Sequence, residues 1–326
     1  MRTRKILKLF NVIIAALLVA SLIISCSSPD DVDISVSQAE KNAYSAITGG
    51  EPDPELIIIN SYKEALDLFA QHNYTPEAWQ SGIRVVPRIY LGKISDQWSK
   101  VTTREIDVQL KKRLFFRAIG PLALRSNELI MLDRTQLESI KASANYSANQ
   151  SWLMQMAEQY RIKDSTDLKA LTTELLLRVD IIPPSLVLAQ AAEESGWGTS
   201  RFAFQGNALF GQWTWGDKGI RPEQQRGQKG DYKIAVFDSP LQSVQAHALN
   251  LNSHHAYEEF RRGRKELRQQ GNQVRGLSLT PYLESYSERG PEYVKSLNSI
   301  INFNELDPAD DAILGNNRAV VMIRSE

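Results

Sequence analysis

Cysteine is nearly absent: the chain of 326 residues has 1, Cys26. No internal disulfide can form, so the fold must rest on packing. Net charge is absent too, with 38 Lys plus Arg against 38 Asp plus Glu. Without a basic surplus there is little to neutralise phosphates, and no nucleic-acid partner is expected. Histidine is scarce at 4. His254 and His255 are adjacent and would point to different faces of a helix, so no metal site and no cofactor are expected. Repeated membrane-length apolar runs are missing, which excludes a multi-span membrane protein. What is present, 42% hydrophobic and 23% charged residues, is ordinary globular composition. At roughly 150 residues per domain the length allows about two domains.

The N-terminus reads as an address. Arg2, Arg4, Lys5 and Lys8 precede the apolar run Leu9–Ile24, a secretory signal pattern over residues 1–25 that is short for a membrane span. The run ends Ile23-Ile24-Ser25 before Cys26, which resembles a bacterial lipobox. That resemblance implies lipidation of Cys26 and a lipid anchor in the cell envelope, at the outer membrane facing the periplasm if the cell is Gram-negative. Two or more acyl chains at about 0.8 kcal/mol per buried CH₂ would hold firmly. Residues 26–55, rich in Ser, Asp and Pro, are expected to form a flexible tether.

Residues 56–160 read mainly as helix. Tyr62, Ala65, Leu66 and Phe69 share one helical face, and Ile106, Leu110, Leu114, Phe115 and Ile119 carry a stripe expected to stop at Pro121. A further helix is expected through Leu129, Leu132, Leu137 and Ile140, while Pro87–Gln97 is less regular. In residues 161–326, Pro183-Pro184 should break one helix and start another that ends at Gly196. Tyr232, Ile234 and Val236 alternate as one short strand, and Ser239-Pro240 should open the helix after it.

The densest chemical signal is Gln190-Ala191-Ala192-Glu193-Glu194-Ser195-Gly196-Trp197-Gly198. A carboxyl at a helix C-terminus, backed by apolar residues and a Trp, is poorly solvated and faces the negative end of the helix dipole. Both effects raise its pKa, which suits a general acid. Glu194 shares a face with Val187, Gln190 and Ala191, but Glu193 also has apolar neighbours in Leu186 and Ala189. Periodicity does not choose between them.

This segment resembles the signature of the family 73 glucosaminidases, usually Ala-Leu-Glu-Ser-Gly-Trp-Gly; the catalytic Glu then maps to Glu194, with Glu193 in place of Leu. The family's Asn-x-Leu-Phe-Gly block is matched by Asn207-Ala208-Leu209-Phe210-Gly211, and its late Tyr-rich block by Tyr286–Tyr293. The preceding stretch, including Lys111–Phe116 and Pro121–Glu128, is similar to bacterial Bax-type proteins.

The resemblance implies an α+β, predominantly helical, lysozyme-like fold with a small β lobe. It further implies an endo-β-N-acetylglucosaminidase acting on peptidoglycan glycan strands, with no cofactor. Glu194 would be the general acid. The second carboxylate would be Glu223, with Asp231 and Asp217 as rivals, and Tyr286, with Tyr293 second, would orient the acetamido group or water. Phe210, Trp213, Trp215 and Tyr293 are the expected sugar contacts, and Trp197 is expected to be structural. A lytic transglycosylase and a non-catalytic wall-binding scaffold are the alternatives. The basic run Arg261, Arg262, Arg264, Lys265 and Arg268 is expected as a solvated helix face, or as an attractor of anionic wall polymer. The protein is expected to be a monomer.

Overall fold

The computed structural model describes residues 47–51, 53–163, 166–223 and 230–324. Cys26, the signal pattern and most of the expected tether lie outside these residues.

β1 (Glu55–Ile58) leads into α1 (Tyr62–Gln71), capped by Ser61, whose hydroxyl accepts from the Glu64 amide. β2 (Val85–Val86) and β3 (Ile89–Leu91) precede α2 (Val108–Ser143), which is 36 residues long. α3 (Gln150–Gln159), α4 (Leu168–Arg178) and α5 (Pro184–Ser195) follow. After α6 (Arg201–Gly206) the chain makes its β excursion, β4 (Trp213–Thr214) against β5 (Lys233–Ile234). α7 (Pro240–Ser253), α8 (Glu258–Gln269) and α9 (Pro291–Phe303) complete the helical body, and β6 (Ile313–Leu314) and β7 (Val320–Ile323) close the chain. The architecture is the expected α+β, predominantly helical one with a small β lobe. Among the described residues no helix is long and apolar enough to cross a membrane.

Residues 56–160 and 161–326 are not separate bodies; the described residues belong to one compact unit. One core joins Phe115, Ile119, Leu122 and Leu137 of α2 to Leu186, Val187 and Ala191 of α5, Leu241 and Leu251 of α7, and Tyr293 and Leu297 of α9. The chain ends are joined as well: β7 lies between β1 and β3 in a parallel sheet, with Leu56 beside Val321 and Ile89 beside Val320. A smaller apolar cluster under this sheet links Leu68, Phe69, Ile89, Leu114, Val320 and Met322.

The tether reading fails at its C-terminal end. Ile47 and Thr48 are buried. Arg125 of α2 donates to the Thr48 and Gly49 carbonyls at 2.9 and 3.0 Å, and Glu51 pairs with Arg88 and Arg125. Pro121 does not end a helix either. α2 runs through it, and every residue from Ile119 to Asn127 is buried, so packing on all sides outweighs the one hydrogen bond that the missing N–H forfeits. Leu132, expected on the inner stripe, is instead 62% exposed. In the β lobe the pairing is shorter than the alternation suggested: Tyr232 and Ile234 are buried, but Val236 is exposed.

The basic run on α8 is not a solvated face. Arg261 and Arg264 are buried, at 2% and 0% exposure. Arg264 donates to the carbonyls of Leu177, Arg178, Asp180 and Ile181 and to Asn252 Oδ1. It therefore satisfies the open C-terminal end of α4, where cations are favoured. Arg134 of α2 adds donors to Leu176 and Val179. Arg268 grips the Asp180 carboxylate with two bonds, at 2.7 and 2.6 Å. Arg262 and Lys265 are exposed as expected, with Arg262 paired to Glu258 and Glu259.

Candidate active site

α5 starts at Pro184, and its first turn is closed from the far end of the sequence. Asp310 accepts from the Ser185 amide at 2.8 Å and from its hydroxyl at 2.7 Å, and from the Gly276 amide at 2.9 Å. Burial pushes the Asp310 carboxyl up to about 6 even so. From Pro184 to Ala192 the helix is wholly buried.

The helix ends in a sharp reversal. Gly196, Trp197 and Gly198 are all left-handed, with φ of 57°, 61° and 76°. This conformation costs a non-glycine residue energy that the surroundings must supply. Trp197 is held by edge contacts to Phe115 and Phe116 of α2, at 5.8 and 5.2 Å between ring centres, by Lys112 Nζ 5.0 Å from its ring, and by Trp98, whose indole N–H donates to the Trp197 carbonyl at 2.9 Å. A Cβ at Gly198 would sit 3.2 Å from that same indole nitrogen. Ser195 Oγ bridges the turn, donating to the Ala191 carbonyl and accepting from the Gly198 amide at 2.8 Å. Trp197 is thus structural, and segment 56–160 helps to build the turn that follows Glu194.

The structure separates the two glutamates that periodicity left equal. Glu193 is paired: Arg289 forms a salt bridge to it and the Ser296 hydroxyl donates to it at 2.9 Å. Among the described residues Glu194 has no salt bridge, and it is half-buried. Burial pushes its carboxyl above the usual range and the Glu193 charge adds to this, while a hydrogen bond from Tyr293 and the more distant Arg289 pull the other way. Tyr257, Tyr286 and Tyr293 all lie within electrostatic reach of Glu194, and burial raises each phenol, Tyr257 to about 12.

Tyr286 and Tyr293 are stacked, with ring centres 5.4 Å apart and planes 3° from parallel. Tyr286 is half-buried. Tyr293 and Phe210 do not offer a face to a sugar. They are 1% and 3% exposed, Tyr293 under Glu194 and Phe210 flat against the ring of His247 at 3.9 Å. Both belong to the floor of the site.

Two further floor residues lacked a role in the sequence reading, His247 and Gln190. His247 Nε2 faces Gln190 Oε1 at 3.1 Å and its Nδ1 faces the Tyr286 hydroxyl at 3.4 Å. Gln190 Nε2 donates to the Tyr293 oxygen at 3.1 Å. Burial depresses the imidazole to about 3, so it is neutral. The sequence did carry a signal: His247 falls on the inner stripe of α7 with Val244 and Leu251, three and four positions away.

In the β lobe, Trp213 stacks on Tyr232 at 4.3 Å, and Trp215 meets Trp213 edge-on. They are 37% and 67% exposed, an open aromatic surface. The second carboxylate is not assembled. The Glu223 side chain is 85% exposed and lies 3.7 Å from Arg201. Asp231 is bound to Arg221 at 2.7 Å, and the Asp217 carbonyl accepts from Lys233. Among the described residues, none of the three forms a hydrogen bond with Glu194. The described residues also contain no group of three or more His, Cys, Asp or Glu placed to hold a metal ion.

Comparison with known proteins places these features. Residues 170–306, which hold α5, the β lobe, α7 and α9, match the profile of the Glucosaminidase family, described as mannosyl-glycoprotein endo-beta-N-acetylglucosaminidase. Trp98, Phe115 and the parallel sheet fall outside that span. The catalytic domain of the autolysin Auto from Listeria monocytogenes is similar at 19% identity and a TM-score of 0.32, covering 54% of this chain and 85% of that one. Protein bax of Escherichia coli (strain K12) is 35% identical over 197 residues, which is 60% of this chain and 70% of that protein. The chain belongs to the family of Protein bax and carries a glucosaminidase domain within it.

Proposed function

We propose that the protein is a peptidoglycan hydrolase, an endo-β-N-acetylglucosaminidase in which Glu194 protonates the oxygen of the glycosidic bond. The observation that carries this reading is the asymmetry of the glutamate pair: Glu193 is paired with Arg289, whereas Glu194 has no salt bridge among the described residues and burial raises its pKa. A carboxyl that burial makes hold its proton more tightly can give that proton to a leaving group. The reaction then passes through an oxocarbenium-like state. The description of the matching family profile, an endo-β-N-acetylglucosaminidase, supports the same chemistry. Trp213 and Trp215 are the aromatic surface on which sugar rings would lie, and Tyr286 is the group that would orient the acetamido substituent or water.

One observation favours a second reading. Glu223 points away into solvent toward Arg201. A single-acid mechanism, with the substrate's acetamido group as nucleophile or with transglycosylation to an anhydro sugar, needs no second carboxylate. Mass spectrometry of digested sacculi separates the readings. Hydrolysis leaves reducing N-acetylglucosamine ends, and a lytic transglycosylase leaves anhydro ends. A wall-binding scaffold would release no fragments at all.

The pH profile gives an independent check. Activity that needs protonated Glu194 falls as pH rises through its pKa. Tyr293 donates a hydrogen bond that lowers that pKa. Tyr293→Phe is therefore expected to move the alkaline limb of kcat/KM to higher pH. A limb that stays in place or moves down would contradict the assignment.

The lipid anchor at Cys26 is part of the proposal, with an envelope location facing the substrate. Labelling with a palmitate analogue should mark the parent and not Cys26→Ala; equal labelling of both would exclude it.

A further inference from the structure

Beneath the acid lies a hydrogen-bonded chain whose polarity follows from the chemistry of its members. The hydrogen bond between Tyr293 and Glu194 lowers the carboxyl's pKa, which is the effect of a phenol that donates. With its proton so used, the Tyr293 oxygen accepts from Gln190, 3.1 Å away, which requires the amide nitrogen there. The Gln190 carbonyl oxygen is then the atom 3.1 Å from His247 Nε2, and it can only accept, so Nε2 carries the imidazole proton. A neutral imidazole has one N–H. Nδ1 is bare, and the hydroxyl of Tyr286, 3.4 Å away, is its donor. The His247 ring is 0% exposed and lies within 3° of parallel to Phe210, which leaves it no alternative partner in solvent.

We propose that His247 is a positioning residue: acting with Gln190 as the Nε2–H tautomer, it turns the Tyr286 proton inward and leaves the Tyr286 oxygen as a hydrogen-bond acceptor beside Glu194. Two stacked tyrosines thereby present opposite polarity. Tyr293 is a donor to the acid. Tyr286 is an acceptor for an N–H or O–H that enters the site, the acetamido N–H of the sugar or a water proton. The floor remains compatible with a protonated Glu194, whose carbonyl oxygen accepts the same bond from Tyr293. This assignment deepens the glycosidase reading and rests on it for the ligand, but the tautomer itself is independent of activity.

The test is therefore spectroscopic first. In the full chain labelled with ¹⁵N-histidine, the His247 ring signals are assigned by comparison with His72→Gln, His254→Gln and His255→Gln. The expected result is the Nε2–H tautomer, with Tyr286→Phe shifting the Nδ1 resonance. An Nδ1–H tautomer, or an Nδ1 signal indifferent to Tyr286→Phe, overturns the proposal even if the enzyme digests wall as proposed. Kinetics supply the second arm. His247→Ala and Tyr286→Phe are each expected to lower kcat about ten-fold, the size of one lost hydrogen bond. The double variant is expected to fall no further than Tyr286→Phe. Effects that multiply would show that His247 does not act through Tyr286. If His247→Ala does not fold, the tautomer measured on the parent decides alone.

Discussion

Glu194→Gln is expected to slow wall digestion by about 10³-fold, within the range that general acid catalysis contributes, without loss of stability. The second half of this expectation follows from the direction of the pKa shift. Burial raises the folded carboxyl above its unfolded value. The folded state then binds the proton more tightly, and the favourable contribution of this group is present at low pH and lost as pH rises through the raised pKa. Above the raised pKa the ionised side chain is a burden on the fold that Gln does not carry, a common relation at active sites. The variant should melt at or above the parent temperature, with the difference growing as pH rises above the ordinary carboxylate range. Glu193→Gln should behave in the opposite way. It removes the partner of Arg289, in the turn before α9, and of Ser296 on α9, an outer contact worth under about 1 kcal/mol, and should leave most of the activity. Equal losses in the two variants would mean that the structure has not told the acids apart.

Asp180→Asn is the substitution expected to damage the fold most. Asp180 is buried, and its carboxylate is shared by Arg268, Arg264 and Arg134 at 2.6, 3.7 and 3.5 Å. Burial opposes its charge, but the three guanidiniums outweigh that and hold the carboxyl below its usual range. Removing the anion leaves Arg264, 0% exposed, without counter-charge. Breaking a buried pair in this way costs about 3–5 kcal/mol, which for a protein of this size lowers Tm by roughly 10 °C. A depressed folded pKa contributes stability above the unfolded pKa and loses it as pH falls through the depressed value. Asp180→Asn should therefore flatten the acid side of the stability curve, read by thermal melts from neutral pH downward. A melting temperature within a degree or two of the parent's would show that the arginines serve the α4 carbonyls alone. Arg264→Lys should not substitute for the native residue, because an ammonium cannot serve five acceptors spread across the end of α4.

The local punctuation of α5, the helix that carries Glu194, was legible in the sequence. Pro183-Pro184 starts α5 and Gly196 ends it, because each residue acts through its own backbone and needs no partner. Glu194 was legible as one of two acids, and what separates them is tertiary: Arg289, in the turn before α9, and Ser296, on α9, come from about a hundred positions away. Pro121 misled because local chemistry predicts a break there, while the burial that overrides it comes from other segments. The arginines of α8 misled for a similar reason. Charge reads as exposure until the open end of a distant helix supplies the acceptors. Strands as short as Val85–Val86 and Ile89–Leu91 leave too little periodicity to tell from helix. Phe210 and Tyr293 read as surface contacts in the sequence but are buried, since aromatic identity does not say on which side of the Glu194 carboxyl a ring lies.

The central claim concerns one carboxyl and can be measured without substrate. The ¹³C resonance of the Glu194 side-chain carboxyl, identified by its loss in Glu194→Gln, should titrate above the ordinary glutamate value of 4.5. In Tyr293→Phe it should titrate higher still. A midpoint at or below 4.5 in the parent would mean that position 194 is an ordinary solvated acid and would contradict the account.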